Sequence, residues 1–417
     1  MTNNFDNDMQ QLYNIVNKLF KEDIFNEDKK FSFPLSKKTY GSEEILSMIS
    51  VLLSDKLTMG NEVETFEKMF ANYIGCKHAV MVNSGSSANL LAVSAICNIK
   101  YKNKLNAGDK IIVPCVCWST SVWPLLQNNL IPVFVDITPN TLNIDVSAIE
   151  KLLDTDKKIR GIMSVHILGN STNMNTLVEL KNKHNLILIE DTCESLGSKY
   201  NDKFLGNFGN FGTFSFYFSH HITTIEGGMI ICNDDNDYNL LKCLRSHGWS
   251  RDICKDYDKN IDNRFCFVNI GYNLRPMETQ GAMGKVQLSK LNHQNDIRMR
   301  NYNKIKNKIL TKNKDKFTFF DIEENCKCIW FAIPLMLNSK YDKKVFLNYL
   351  LENGIETRPI VTGNFTRQPI FKELNININS ETFVNADKVH FHGFFCGLYS
   401  YEMTDDEINT FVTILCD

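Results

Sequence analysis

The segment Asn83-Ser84-Gly85-Ser86-Ser87-Ala88 closes one apolar run and opens another, which aims backbone N–H groups and hydroxyls at a single point. A helix N-terminus holds a phosphate in this way, although a Ser-rich helix cap with no ligand reads the same. Asp191 ends the apolar run LILIE, at the strand end where α/β proteins place their ligands. A carboxylate there can pair with a protonated ring nitrogen and keep it charged, or can simply cap the next turn. Trp118, between Cys117 and Ser119, offers a face for a planar cofactor or fills core. The run Thr213-Phe214-Ser215-Phe216-Tyr217-Phe218-Ser219-His220-His221 ends in two imidazoles. With an ordinary pKa near 6.5, an imidazole is a competent base at neutral pH. A metal role for His220, His221 or His247 lacks a supporting carboxylate pattern such as H-E-x-x-H.

The elements that must position these residues follow from the hydrophobic pattern. Short apolar or β-branched runs at 79–83, 111–114, 132–136, 161–166, 186–190, 212–217 and 228–232 alternate with longer helical ones. Seven strands in a largely parallel α/β sheet are predicted. Helices are expected to start at Ser86, near Ser119, at Asp145 and near Asn175, the first and third with Ser or Asp as cap. Met9, Leu12, Ile15, Val16, Leu19 and Phe20 recur at helical spacing, which makes 1–35 an amphipathic arm that packs on the body. Residues 36–285 form the large domain. A Lys/Asn-rich helix over roughly 286–311 then opens a smaller α+β domain, 286–417, in which NININS (375–380) reads as a loop.

Composition bounds the function. The 417 residues carry 46 Lys plus Arg against 48 Asp plus Glu, a net charge of -2, which argues against nucleic acid as a partner. No apolar run is long enough to span a membrane, and the first ten residues have neither a basic nor an apolar leader region, so a cytoplasmic protein is expected. The 13 cysteines are scattered through apolar contexts and read as buried reduced thiols. The pairs Cys115/Cys117 and Cys326/Cys328 are spaced too closely for a zinc knuckle, so no metal is expected.

The segment from Ser215 to Gly228 resembles the cofactor-lysine loop of the DegT/DnrJ/EryC1/StrS sugar aminotransferases, S-F-x-x-x-K-x-x-T-x-x-E-G-G, with His220 at the lysine position. No lysine occurs between Lys203 and Lys242. The resemblance runs from about Gly41 to Thr404 and takes in 57–75, 83–92, 165–170, 190–197, 271–282 and 354–369. His220, Tyr217, the His-His pair and the TRPI..GN..RQP segment are similar to the dehydratase branch, which acts on GDP- or CDP-linked 4-keto-6-deoxy sugars. The resemblance implies a fold type I, aspartate aminotransferase-like architecture and pyridoxal or pyridoxamine phosphate as cofactor. It also implies C3 deoxygenation, with glutamate restoring the amine form.

Carried over by position, Asp191 holds the ring nitrogen and Trp118 stacks on the ring. Gly85, Ser86 and Ser215 bind the phosphate, and Asn273 reaches it across a homodimer interface. His220 is the implied base. His221, Tyr217, Arg358 and Asn364 are substrate candidates, His166 touches substrate or is a satisfied core histidine, and Arg251 and Arg275 serve substrate or interface.

The CDP-sugar enzymes carry an iron-sulfur cluster on four cysteines. Here Cys193 matches the first, whereas Cys254 is out of register and, like Cys266, reads as structural, so no cluster is expected and the GDP-linked substrate is favoured. Phe218 and Ile225 replace residues that are frequently Pro and Gly in the family. The alternative is an aminotransferase-like protein that is inactive or aminating.

Overall fold

Strands buried on both faces need apolar side chains throughout, and runs such as Ile187–Asp191 supply them. The computed structural model describes residues 2–22, 31–251 and 260–417. Seven strands build one sheet: β1 (His78–Val82), β2 (Lys110–Pro114), β3 (Ile131–Val135), β4 (Ile159–Val165), β5 (Ile187–Asp191), β6 (Phe211–Ser215) and β7 (Gly228–Cys232). They lie in the order β1-β7-β6-β5-β4-β2-β3. Only β7 runs against its neighbours, and the other pairs are parallel. Side chains alternate between two cores. Ile187 and Ile189 pack on one face with Phe211, while Leu188 packs on the other with Ile162 and Leu177.

Register brings the carboxyl ends of the central strands together. Val165 pairs with Asp191, and Asp191 with Thr213, so the ends of β4, β5 and β6 form one row. Each is followed by a helix or turn that leaves room above the row, as open α/β sheets do where ligands bind.

The helix starts are close to those read from the sequence. Asp145 caps Val146–Thr155, and Asn173 caps Met174–His184. In the phosphate segment the cap is Ser84 rather than Ser86. The Ser84 hydroxyl accepts from the Ser87 amide at 3.1 Å, and Ser86 already lies inside the helix Gly85–Ile96. The helix expected from about 286 begins at Glu278 and runs to Asn313. It packs on Ser42–Leu52 and Asn61–Ile74, and also on the C-terminal helix Asp405–Cys416.

A second sheet contains Phe317–Thr318, Ile333–Leu337, Gly393–Cys396 and Thr357–Arg358 in that order, all antiparallel. Helices Lys343–Glu352, Val384–His392 and Asp405–Cys416 accompany it. The N-terminal helix Thr2–Glu22 lies against Ser42–Leu52, with Phe20 edge-on to Tyr40 at 6.0 Å. Among the described residues no helix is long and apolar enough to cross a membrane.

Candidate active site

Two joined chambers open above the strand ends. The inner one, about 370 Å³, is lined by the phosphate segment, Trp118, Asp191, Ser215, Tyr217 and His220. The outer one, about 580 Å³, carries Lys37, Lys38, Arg298 and Arg358. Trp118, Glu194, Tyr217, Ser219 and Val361 belong to both.

The phosphate end is built by close approach. A Cβ on Gly85 would lie 2.5 Å from the Ser215 Cβ, and one on Gly228 would lie 2.3 Å from the Ser84 carbonyl oxygen. Only glycine lets the first turn of Gly85–Ile96 sit on the ends of β6 and β7. The helix N-terminus therefore opens beside the Ser215 hydroxyl, with partial positive charge and unsatisfied amides facing the chamber. The Ser86 side chain is exposed and reaches the Thr120 hydroxyl at 3.3 Å.

At the other end Asp191 is 5% exposed. Its Oδ2 accepts from Asn89 Nδ2 at 2.8 Å and from Ser121 Oγ at 2.7 Å. Its Oδ1 accepts from the Cys193 amide at 3.2 Å. Among the described residues no side-chain cation pairs with it, an unusual state for a buried carboxylate that faces a cavity. A protonated ring nitrogen would complete it. Trp118 leaves 56% of its surface uncovered at the mouth of the same chamber, a free aromatic face. The donor set, the glycine cradle and the bare indole fit a phosphorylated pyridine. No lysine lines the inner chamber among the described residues.

His220 sits on a turn closed by its amide to the Tyr217 carbonyl at 2.9 Å. Its ring meets Phe331 edge-on at 5.2 Å and Tyr217 at 5.9 Å. Burial, and secondarily the Arg298 guanidinium, lower its pKa from 6.5 to about 4. The ring is therefore neutral at physiological pH, as a general base must be. Its Nδ1 is buried without a partner. Five residues on, the loop carries strain: Ile225 adopts a φ of 71°, in the left-handed region that a β-branched residue avoids. This is the physical reason why glycine suits that place.

Arg358 lines the outer chamber and pairs with Glu356 at 3.1 Å. Three substrate candidates lie elsewhere. His166 is fully buried, with Nε2 3.2 Å from Glu190 Oε2, because the strand end points it into the layer beneath the chamber. His221 turns away from the cavity, is 1% exposed, and places Nε2 3.3 Å from the Ile329 carbonyl oxygen. Asn364 is buried with its amide committed: Nδ2 donates to Asp387 Oδ1 at 2.7 Å and to the Ser380 carbonyl at 3.2 Å, while Oδ1 caps Thr366. Asn273 lies outside both chambers on the surface, bonded to Arg275 Nε at 2.9 Å. Its segment still touches the phosphate end, since Leu274 accepts the Asn83 amide at 3.1 Å. Arg251 and Arg275 stand over the Trp249 ring, outside the chambers. Cys193 lines the inner chamber and Cys266 is buried, while Cys254 lies outside the described residues.

Sequence reading missed the residues that hold Asp191, and also Glu194 at the junction and Arg298 in the outer chamber. Asn89 lies one helical turn after Gly85, a spacing that could have revealed it. Glu194, three residues after Asp191, lines both chambers. Burial, reinforced by the nearby Asp191 charge, raises its pKa from 4.5 to about 7, against the lowering effect of the Leu168 amide. Arg298 reaches the outer chamber from the long helix and donates to the Phe331 and Leu398 carbonyls at 2.9 and 2.7 Å.

The chain is similar to known proteins over most of its length. GDP-4-keto-6-deoxy-D-mannose 3-dehydratase of Escherichia coli O55:H7 is 39% identical over 388 residues, 90% of this chain and 97% of that protein. The enzyme of the same name from Yersinia pseudotuberculosis is 37% identical over 91% of this chain and 97% of its own. The solved structure of the E. coli enzyme with bound hydrated PLP superposes with a TM-score of 0.86 at 37% identity, covering 92% of this chain and 99% of that one. An aminotransferase of Helicobacter pylori involved in pseudoaminic acid biosynthesis matches with a TM-score of 0.81 at 25% identity, over 92% and 98% of the two chains. Residues 38–415, which span the glycine cradle, the buried Asp191 and the turn that carries His220, match one family throughout, and the chain belongs to the DegT/DnrJ/EryC1/StrS aminotransferase family.

Proposed function

We propose that this chain is a pyridoxamine phosphate-dependent 3-dehydratase of a GDP-linked 4-keto-6-deoxy sugar, with glutamate restoring the amine form of the cofactor. One observation carries the reading: a chamber fitted for a phosphorylated pyridine presents a neutral histidine, His220, where the family's aminotransferases present lysine. The relatives that share 37–39% identity are named for this reaction. The solved relatives hold hydrated PLP and a PLP-glutamate geminal diamine.

When bound, pyridoxamine phosphate supplies an amine for the C4 ketone and a ring that accepts electrons. In this reading Gly85, Ser86 and Ser215 hold its phosphate, Trp118 covers its ring, and Asp191 keeps the ring nitrogen protonated. His220 takes a proton at the cofactor's C4′ carbon, and the C3 oxygen of the sugar departs with its own bonding pair. Imidazole forms no stable Schiff base, so the cofactor is retained by noncovalent contacts and no lysine expels an aminated sugar. Arg298 and Arg358 meet the anionic groups of the nucleotide sugar in the outer chamber.

The active unit is a homodimer in which Asn273 reaches the phosphate of the second copy. Support comes from its segment, where Ile270, Phe267 and Met277 are 91%, 57% and 52% exposed, an apolar surface that needs a cover. The described cysteines are free and many are buried, the state kept in a reducing cytoplasm.

Mass spectrometry after incubation with GDP-4-keto-6-deoxymannose, glutamate and pyridoxal phosphate tests the reading. The expected product has lost oxygen at C3 and gained no nitrogen. His220→Asn abolishes it while cofactor binding persists, and His220→Lys creates a borohydride-reducible link. A nitrogen-containing sugar from the wild type would refute the proposal.

A further inference from the structure

Departure of a hydroxyl from C3 needs a proton, and a base that has just taken one at C4′ on the cofactor is not the only group placed to give it. We infer that Glu194 is the general acid of this reaction: its carboxyl protonates the C3 oxygen of the sugar as the C–O bond breaks. The inference rests on the functional reading above.

The geometry supports a division of labour. Glu194 lines both chambers, so it stands at the junction between the cofactor site and the sugar site. One carboxyl oxygen, Oε2, is fixed by the Leu168 amide at 3.0 Å. Among the described residues the other oxygen has no hydrogen-bond partner, and the carboxyl belongs to the cavity wall. Leu168 is itself held at a φ of 50° on the turn after β4, which anchors the acid on the rigid end of the sheet. Asp191 cannot serve, because two side-chain donors occupy it and the cofactor's ring nitrogen would complete it.

The protonation states agree. Burial and the Asp191 charge bring Glu194 to about 7, while burial and Arg298 bring His220 to about 4. At neutral pH the imidazole is therefore free to accept while a large share of the carboxyl can donate. Two groups pushed apart in this way mark a base and an acid. The step balances: His220 gains the C4′ proton, the C–H electron pair stays in the conjugated system as a new π bond, the C3–O bonding pair leaves with the oxygen, and the Glu194 proton converts that hydroxide to water.

The test is Glu194→Gln, which keeps an acceptor for the Leu168 amide but holds no acidic proton. It is assayed with the natural sugar nucleotide and with its 3-deoxy-3-fluoro analogue, whose leaving group needs no proton. Water elimination is expected to fall by about 10²- to 10⁴-fold, the usual contribution of a general acid. Fluoride release and cofactor affinity should stay as in the wild type. In cofactor-free protein, an infrared band of a protonated carboxyl below neutral pH should be absent from E194Q. An equal loss with both leaving groups, an undiminished water elimination, or no such carboxyl band would overturn the assignment. Wild type that eliminates neither group would instead overturn the functional reading and this inference with it.

Discussion

Replacing Gly85 by alanine tests the phosphate cradle at its tightest point. The new Cβ would stand 2.5 Å from the Ser215 Cβ, 2.9 Å from its Oγ and 3.1 Å from its Cα. Carbon atoms in ordinary contact keep about 3.5–4.0 Å, so the first helical turn must retreat by about 1 Å. Ser215 cannot yield instead, because it ends a strand paired on both sides of the sheet and is itself nearly buried. Overpacking of this kind costs about 1–3 kcal/mol of stability. The functional cost is larger in proportion. A hydrogen bond to a charged group is worth about 1.5–3 kcal/mol, and a helix end displaced by about 1 Å loses one or two of those to the phosphate. Pyridoxamine phosphate should then bind roughly 10- to 10⁴-fold more weakly, for a loss of about 1.5–6 kcal/mol at about 1.4 kcal/mol per tenfold. Titration calorimetry of the cofactor-free protein measures the affinity, and urea unfolding measures the stability. Ser86→Ala removes one hydroxyl donor without a clash and should lose about 10- to 100-fold, with stability unchanged. A Gly85→Ala protein that binds the cofactor as tightly as the wild type would show that the phosphate sits elsewhere.

Three other perturbations follow from the same geometry. Ile225→Gly relieves a left-handed β-branched residue on an exposed turn and should raise stability by about 1 kcal/mol, read from the urea midpoint; a loss would mean that the side chain earns its place. Asn364→Ala removes the Thr366 cap and the bond to the Ser380 carbonyl, leaves Asp387 to Arg367 alone, and should cost about 1–3 kcal/mol with no change in KM, whereas a raised KM at full stability would return Asn364 to the substrate. The pH dependence has a fixed sign: burial holds His220 at about 4 in the folded protein against 6.5 when unfolded. The folded state therefore resists a proton that the unfolded chain accepts. Stability is fully present above 6.5 and declines as pH falls from there through about 4. His220→Asn should flatten that decline in cofactor-free protein, measured as the difference between urea midpoints at neutral and mildly acidic pH; an identical decline in both would remove His220 as its source.

What was legible in the chain is what short-range physics writes locally. The seven strands are unbroken apolar runs because both faces are covered, and their ends deliver Asp191 and Ser215 to one row. The reversed direction of β7 left no local mark. The early start of the helix Glu278–Asn313 was obscured by Gly281 and Gly284, which lower helix propensity. Both are there for tertiary reasons: a Cβ would lie 2.6 Å from the Val63 amide nitrogen in one case and 2.6 Å from the Phe66 ring in the other. The helix gives up propensity to bring two backbones together.

The same division runs through the site. Residue type and backbone position single out Asp191, Trp118 and the Gly85 turn in the sequence, and the fold brings all three to one chamber. His166 and Asn364 have the right types, but Glu190 and Asp387 absorb them, and those partners lie at 24 and 23 residues' separation. Residue type also reveals that His220 cannot do a lysine's work. It does not reveal that the ring is neutral, since that depends on burial under Phe331 and on Arg298, which approaches from a helix of the C-terminal half. Glu194 is the extreme case. An ordinary acidic residue in sequence becomes a carboxyl poised near neutrality because the fold buries it, gives it one amide and sets it beside Asp191. The residue types beside the sheet ends thus specify which groups can act, and the long-range packing around them decides which hold a proton near neutral pH and which do not.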